Sequence, residues 1–115
     1  MAIAFVYGSP AYAACSADAE PLETKFKKKN AKMSFEISGK PCSNGCSGWV
    51  EYDFHYVNGL DVTMSYSNTF QWASDTGAPV SVTEDIALTS CTKDDGLCRL
   101  VRVDVTDLAC YEYNP

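Results

Sequence analysis

Between Trp49 and Ser67 the chain alternates apolar and polar residues on both sides of an Asn-Gly pair, a pattern that an antiparallel β-hairpin satisfies and a helix does not. Val50, Tyr52, Phe54 and Tyr56 share one side of a first strand, and Leu60, Val62, Met64 and Tyr66 share one side of a second. A two-residue turn at Asn58-Gly59 would set Phe54 opposite Thr63 and mix the faces. A three-residue loop of Val57, Asn58 and Gly59, with Gly59 left-handed in a bulge, instead pairs Tyr56 with Leu60, Phe54 with Val62, Tyr52 with Met64 and Val50 with Tyr66. The sequence therefore predicts a bulged hairpin with one apolar face, which a slip of one residue would undo.

The opposite face then carries Trp49, Glu51, Asp53 and His55 beside Asp61, Thr63, Ser65 and Ser67, as the solvent side of an antiparallel sheet does. In this register His55 lies opposite Asp61, with Asp53 two residues back. Trp49, Glu51, Asp53, His55, Asp61 and, further on, Trp72 are the candidate binding residues.

The remaining chain fits the same class. Its 115 residues suffice for one domain, and 46% hydrophobic and 12% aromatic residues argue against disorder. Met33, Phe35 and Ile37 alternate with Ser34, Glu36 and Ser38 in a first strand, after which Pro41, Asn44 and three glycines break regular structure up to Gly48. Thr69 to Trp72 reads as a short extended stretch. Val80, Val82, Ile86 and Leu88 form a further strand with an irregularity at Glu84, and Cys98 to Val105 another, joined by a polar loop from Thr92 to Leu97. Leu108 to Tyr113 is a last short strand. Six or seven short strands predict a small all-β antiparallel β-sandwich. It is immunoglobulin-like in architecture alone, since the Cys, Trp, Cys order with the expected separation is absent.

Six cysteines against one histidine fit a disulfide framework in an oxidising compartment. Pairing the strands before and after the polar loop sets Leu88 opposite Val101, Ile86 opposite Val103 and Cys91 opposite Cys98, so Cys91–Cys98 is the predicted bond, worth about 2.5 kcal/mol on the chain-entropy estimate. The pairing of Cys15, Cys42, Cys46 and Cys110 stays open. A zinc site at Cys42 and Cys46 would need two more ligands and reduced thiolates, which export opposes. No metal or other cofactor is expected. Lys93 to Gly96 lacks the alternating oxygen ligands of a calcium loop and is read as a turn.

Export is suggested by the apolar run Ala2 to Val6 and by the small residues flanking Tyr12, with cleavage expected after Ala13. The run is short and no positive residue follows Met1, which implies a start upstream of Met1 or a numbering that begins inside the leader. A lipoprotein signal ending at Cys15 is the alternative, although Tyr12 stands where such a signal wants leucine. The chain then divides into a partial export signal at 1–13, a charged lead-in at 14–32 outside the core, and a β-sandwich at 33–115. Residues 25–40 hold six lysines against Glu36, whereas 41–115 hold eleven acidic residues against Lys93, Arg99 and Arg102. The acidic body argues against nucleic acid as a partner, and no stretch has the length of a transmembrane span.

Catalysis would have to use His55, oriented by a carboxylate, with Ser65 or Thr63 as nucleophile, but no nucleophile elbow, phosphate loop or HExxH pattern is present. Glu51 and Asp53 stand about 7 Å apart on one strand face, a spacing that alternate acidic residues share whether or not they react. The sequence favours a secreted or periplasmic interaction module that is not an enzyme. Its expected partner is a protein of the cell envelope or exterior, met through a strand edge or the polar face, in the manner of an inhibitor or accessory factor. The first alternative is a carbohydrate-binding module in which Trp49, with Trp72, Tyr111 and Tyr113, whose facing the sequence leaves open, stacks on sugar rings. The second is a small hydrolase-like enzyme centred on His55.

Overall fold

The computed structural model describes residues 12–27, 29–91 and 97–113. Among these the chain is all β, with seven strands in two antiparallel sheets and no helix: β1 (Tyr12–Ala14), β2 (Ser16–Phe26), β3 (Asn30–Lys40), β4 (Cys46–Val57), β5 (Thr63–Ser74), β6 (Val80–Ala87) and β7 (Arg99–Tyr113). One sheet has the order β1-β7-β4-β5 and the other β2-β3-β6.

The period-two pattern explains how the sheets face each other. Ala31, Met33, Phe35 and Ile37 on β3 are fully buried, as are Val50, Tyr52 and Phe54 on β4. The Phe35 ring lies 5.2 Å from Tyr52 and 5.1 Å from Phe70, joining the two layers through tilted aromatic pairs. Each such ring contributes roughly 3–5 kcal/mol by the cost of its truncation to alanine.

The hairpin keeps the predicted faces but not the predicted register. Tyr56 pairs with Met64, Phe54 with Tyr66, Tyr52 with Asn68 and Val50 with Phe70. The cause is Asn58, whose carbonyl Oδ1 accepts the backbone N–H groups of Leu60 at 2.9 Å and Val62 at 3.0 Å, while its own N–H donates to the Val62 carbonyl at 2.9 Å. This Asx-type clamp builds a longer loop from 58 to 62, in which Asp61, at φ 64°, takes the left-handed conformation expected of Gly59. Leu60 and Val62 therefore stand exposed at the loop instead of pairing with Tyr56 and Phe54. Because the pairing moved by an even number of residues, parity survived and the apolar face stayed inside.

Three other expectations change. The charged segment 14–32 is not a lead-in: Ser16–Phe26 is strand β2, paired with β3 and turning its small Ala17 and Ala19 and its Phe26 toward the core. The strand before the polar loop pairs with β3, setting Ile86 opposite Ala31, so the predicted Ile86–Val103 and Leu88–Val101 pairs do not form. The last two predicted strands are one, β7, which pairs along β4 with register shifts near Glu51 and near His55. The irregularity at Glu84 is a polar residue in an inward slot: its Oε1 accepts the Tyr52 hydroxyl at 2.8 Å and the Asn68 amide at 3.0 Å. Burial and this carboxylate together raise the Tyr52 hydroxyl far above the usual tyrosine range.

All six cysteines are bonded, as Cys15–Cys110, Cys42–Cys46 and Cys91–Cys98. Gly39 passes directly over two of these bonds, and a Cβ there would stand 2.9 Å from Cys110 Sγ and 3.0 Å from Cys46 Sγ. Only a hydrogen fits at that crossing. The expected leader lies outside the described residues except for Tyr12 and Ala13, which pair with β7, and the turn at 93–96 lies wholly outside them.

Candidate functional site

The outward face of the four-stranded sheet is polar across its three long strands. From β4 it presents Trp49, Glu51, Asp53 and His55; from β5, Ser65, Ser67, Thr69 and Gln71; from β7, Arg102, Asp104 and Asp107. His55 sits between Ser65 and Asp104, with Nδ1 2.9 Å from Ser65 Oγ and Nε2 3.2 Å from Asp104 Oδ2. Asp61, the sequence-predicted neighbour of His55, is instead in the 58–62 loop and pairs with Arg99 at 3.6 Å.

A serine, an imidazole and a carboxylate in line are the parts of an acyl-transfer relay, and here the carboxylate end is also held by a cation. Asp104 accepts Arg102 Nε at 2.9 Å, and this hydrogen bond, ahead of the neighbouring charges, holds its carboxyl below the usual carboxylate range. The carboxylate is thus shared with a cation, and Ser65 lies exposed on an open strand face. The same face sets Asp53 directly opposite Asp104 and Glu51 opposite Asp107, like charges that repel across a strand pair. Hydroxyl donors offset part of this: Ser67 bonds to Asp53, and Thr106 Oγ1 donates to Glu51 Oε1 at 2.9 Å. The result is an acidic, largely self-satisfied surface.

At one end of this face a shallow groove of about 470 Å3 runs between Trp49 and Tyr111, over Ser47, Gly48 and Ala73, with Gln71 at its side. Gly48 allows the close approach of β4 to β7 beneath it, since a Cβ there would collide with the Ala109 carbonyl. Tyr111 is 46% exposed and offers a ring. Trp72 borders the groove behind Gly48 but offers no open ring: it is buried on the inward side near the disulfides, and its indole N–H has no partner among the described residues. Parity explains this, because Trp72 follows Phe70 and Asn68 on the inward series of β5.

The sulfur atoms of Cys15, Cys46 and Cys110 lie within 4.8 Å of one another. Each is committed to a disulfide, so none offers a thiolate to a metal.

The strand β5 closes one edge of the four-stranded sheet. Its hydrogen-bond phase follows from two backbone bonds, Asn58 N–H to the Val62 carbonyl and Tyr113 N–H to the Gly45 carbonyl. Along β4 the even residues bond toward β5 and the odd ones toward β7, so on β5 the odd residues 63 to 73 turn their N–H and C=O groups outward. From Thr63 to Ser74 this strand has no charged residue and no proline, and its pairing with β4 has no bulge. The other two long edge strands differ: β2 carries Lys, Asp, Glu and a proline with a register shift after Pro21, and β6 carries Glu84 and Asp85. Sheet edges are ordinarily protected by such devices. The sequence signal for β5 was its lack of charge, legible only once the strand was known to be an edge. Asp104 was missed as a neighbour of His55, and Tyr111, expected among the stacking aromatics, could not be placed beside Trp49, because no alternation rule states which strand β7 joins.

The geometry defines a disulfide-stapled, two-sheet antiparallel sandwich. No protein-family model matches the chain, and the comparisons with curated proteins and with solved structures found no match. Among the described residues no helix is long and apolar enough to cross a membrane.

Proposed function

We propose that this chain is an exported interaction module that binds a protein partner by adding a strand of that partner to the edge of β5, which no further strand among the described residues pairs. The observation that carries the reading is that edge: long, uncharged, unbulged and without proline, with the backbone groups of alternate residues facing out. Three disulfides support an oxidising compartment, outside the cell or in the periplasm. Binding here needs no reaction, and the exposed Ser65 with the partly buried His55 and Asp104 is read as a surface network and not as a hydrolase. The test compares wild type with Thr69→Pro, which deletes one outward N–H and leaves the β4 ladder intact. A cell-envelope protein retained by immobilised wild type and lost with Thr69→Pro supports the reading. Partners held equally by both would refute it.

A second reading rests on the groove between Trp49 and Tyr111. Two aromatic rings beside Gln71 and Ser47 suit a sugar ring, which stacks its apolar face and hydrogen-bonds at its rim. Glycan retention that disappears in Trp49→Ala with the fold intact would favour it over the edge.

A further inference from the structure

The edge of β5 is complementary to itself, and we propose that the protein partner is a second copy of this chain, joined β5 to β5 across a two-fold axis. This rests on the edge reading above and names its occupant. Outward backbone groups belong to the odd residues, so two copies can bond only where odd residues oppose odd. That condition also keeps inward side chains beside inward ones, which pairing of any foreign strand would have to meet by its own sequence.

Two registers overlap the strands equally far, one with Asn68 on the axis and one with Thr69. The second would press Asn68 against Phe70. The first sets Asn68 beside Asn68, Tyr66 beside Phe70 and Met64 beside Trp72 within the apolar layer, while Ser67 meets Thr69 and Ser65 meets Gln71 outside. Hydroxyls and amides oppose each other, and no charge is opposed to a like charge.

Burial along β5 argues for the same partner. Phe70, Trp72 and Ser74 are buried, but Met64 and Tyr66 are only half-covered and Asn68 is exposed, so the first half of the strand overhangs the three-stranded sheet. Antiparallel self-pairing lays the overhanging half of each strand along the well-packed half of the other. Each copy thereby supplies the side chains that the other lacks, in an isologous contact of the kind most homodimers use. The formal charge of −6 on each chain opposes the union at low ionic strength, so added salt strengthens it.

The test is the solution mass of the disulfide-bonded protein over a concentration series, by light scattering, for wild type, Thr69→Pro and Thr69→Lys. The lysine places a charge on each side of the axis and meets Glu51 across the β4 pair, which protects the fold of that variant. A wild type that reaches twice the monomer mass, with both variants monomeric and unchanged in far-ultraviolet circular dichroism, is expected. In addition Asn68→Cys should link two copies covalently, since non-hydrogen-bonded cross-strand pairs hold Cα atoms about 4.5 Å apart. A wild type monomeric throughout, or dimers that persist in folded Thr69→Pro, would overturn the proposal. If that monomer still captures another protein in a Thr69→Pro-sensitive way, self-pairing fails and the edge reading stands; if it captures none, both fail.

Discussion

Replacing Cys15 and Cys110 together by alanine should cost far more stability than replacing Cys42 and Cys46 together. The first bond joins residues 95 apart in sequence and the second residues 4 apart. On the chain-entropy estimate the long ring is worth about 4.7 kcal/mol and the short one about 2.1 kcal/mol. Both changes also delete two sulfur atoms, three of the four from buried cysteines and the fourth from the partly buried Cys15, so that loss largely cancels in the comparison and a difference of about 2.6 kcal/mol remains. The structural reason for the gap is that Cys15 lies where the chain passes from β1 in one sheet to β2 in the other, and Cys110 is in β7. Urea unfolding of the two double variants, followed by fluorescence and analysed by linear extrapolation, measures it. The urea slope should rise more in the Cys15/Cys110 variant, because its unfolded state loses the larger constraint. Equal midpoints and slopes in the two variants would refute the reasoning, as would peptide mapping that recovers a different connectivity.

Three further outcomes follow from named contacts. Since the native pKa of Tyr52 is raised, the neutral hydroxyl stabilises the fold fully below the unfolded value near pH 10; above it stability should fall by about 1.4 kcal/mol per pH unit, a slope that Tyr52→Phe removes in pH-dependent unfolding. Asn58→Ala should cost about 1–2 kcal/mol in thermal or urea unfolding by releasing the two loop N–H groups it holds, whereas Leu60→Ser, at a residue 60% exposed, should stay within about 0.5 kcal/mol of wild type. Gly48→Ala should destabilise more than either, because the added methyl meets the backbone of Ala109; a stability equal to wild type would contradict the close approach of β4 and β7.

Alternation made the class and the faces legible. The inward rows of β3 and β4 could be read residue by residue, because period two leaves a large aromatic or aliphatic side chain at every second position. Registers and neighbours could not. Asn58 set the hairpin loop through side-chain hydrogen bonds that an Asn-Gly turn rule does not contain. The row from Val80 to Leu88 fits any facing strand with an apolar side, so nothing local selects β3 over β7. Strand β2 escaped notice because its inward residues are small alanines between charges, enough for an edge strand and too little to register as a hydrophobic run. The bond between Cys91 and Cys98 forms, but the strand pair from which it was predicted does not, since the strands before and after it lie in different sheets. Of the candidate site, the row from Trp49 to His55 was readable, and its partners on β7 were not.

The most direct test of the account is amide-resolved hydrogen exchange along β5. In dilute protein the outward amides of Ser65, Ser67, Thr69 and Gln71 should exchange fast, and those of Tyr66, Asn68, Phe70 and Trp72, bonded to β4, should exchange slowly. On concentrating the protein the first set should become protected while the second stays unchanged. Outward amides that stay unprotected at the highest concentration, or that are already as protected as the second set in protein that is monomeric by light scattering, would contradict the central claim.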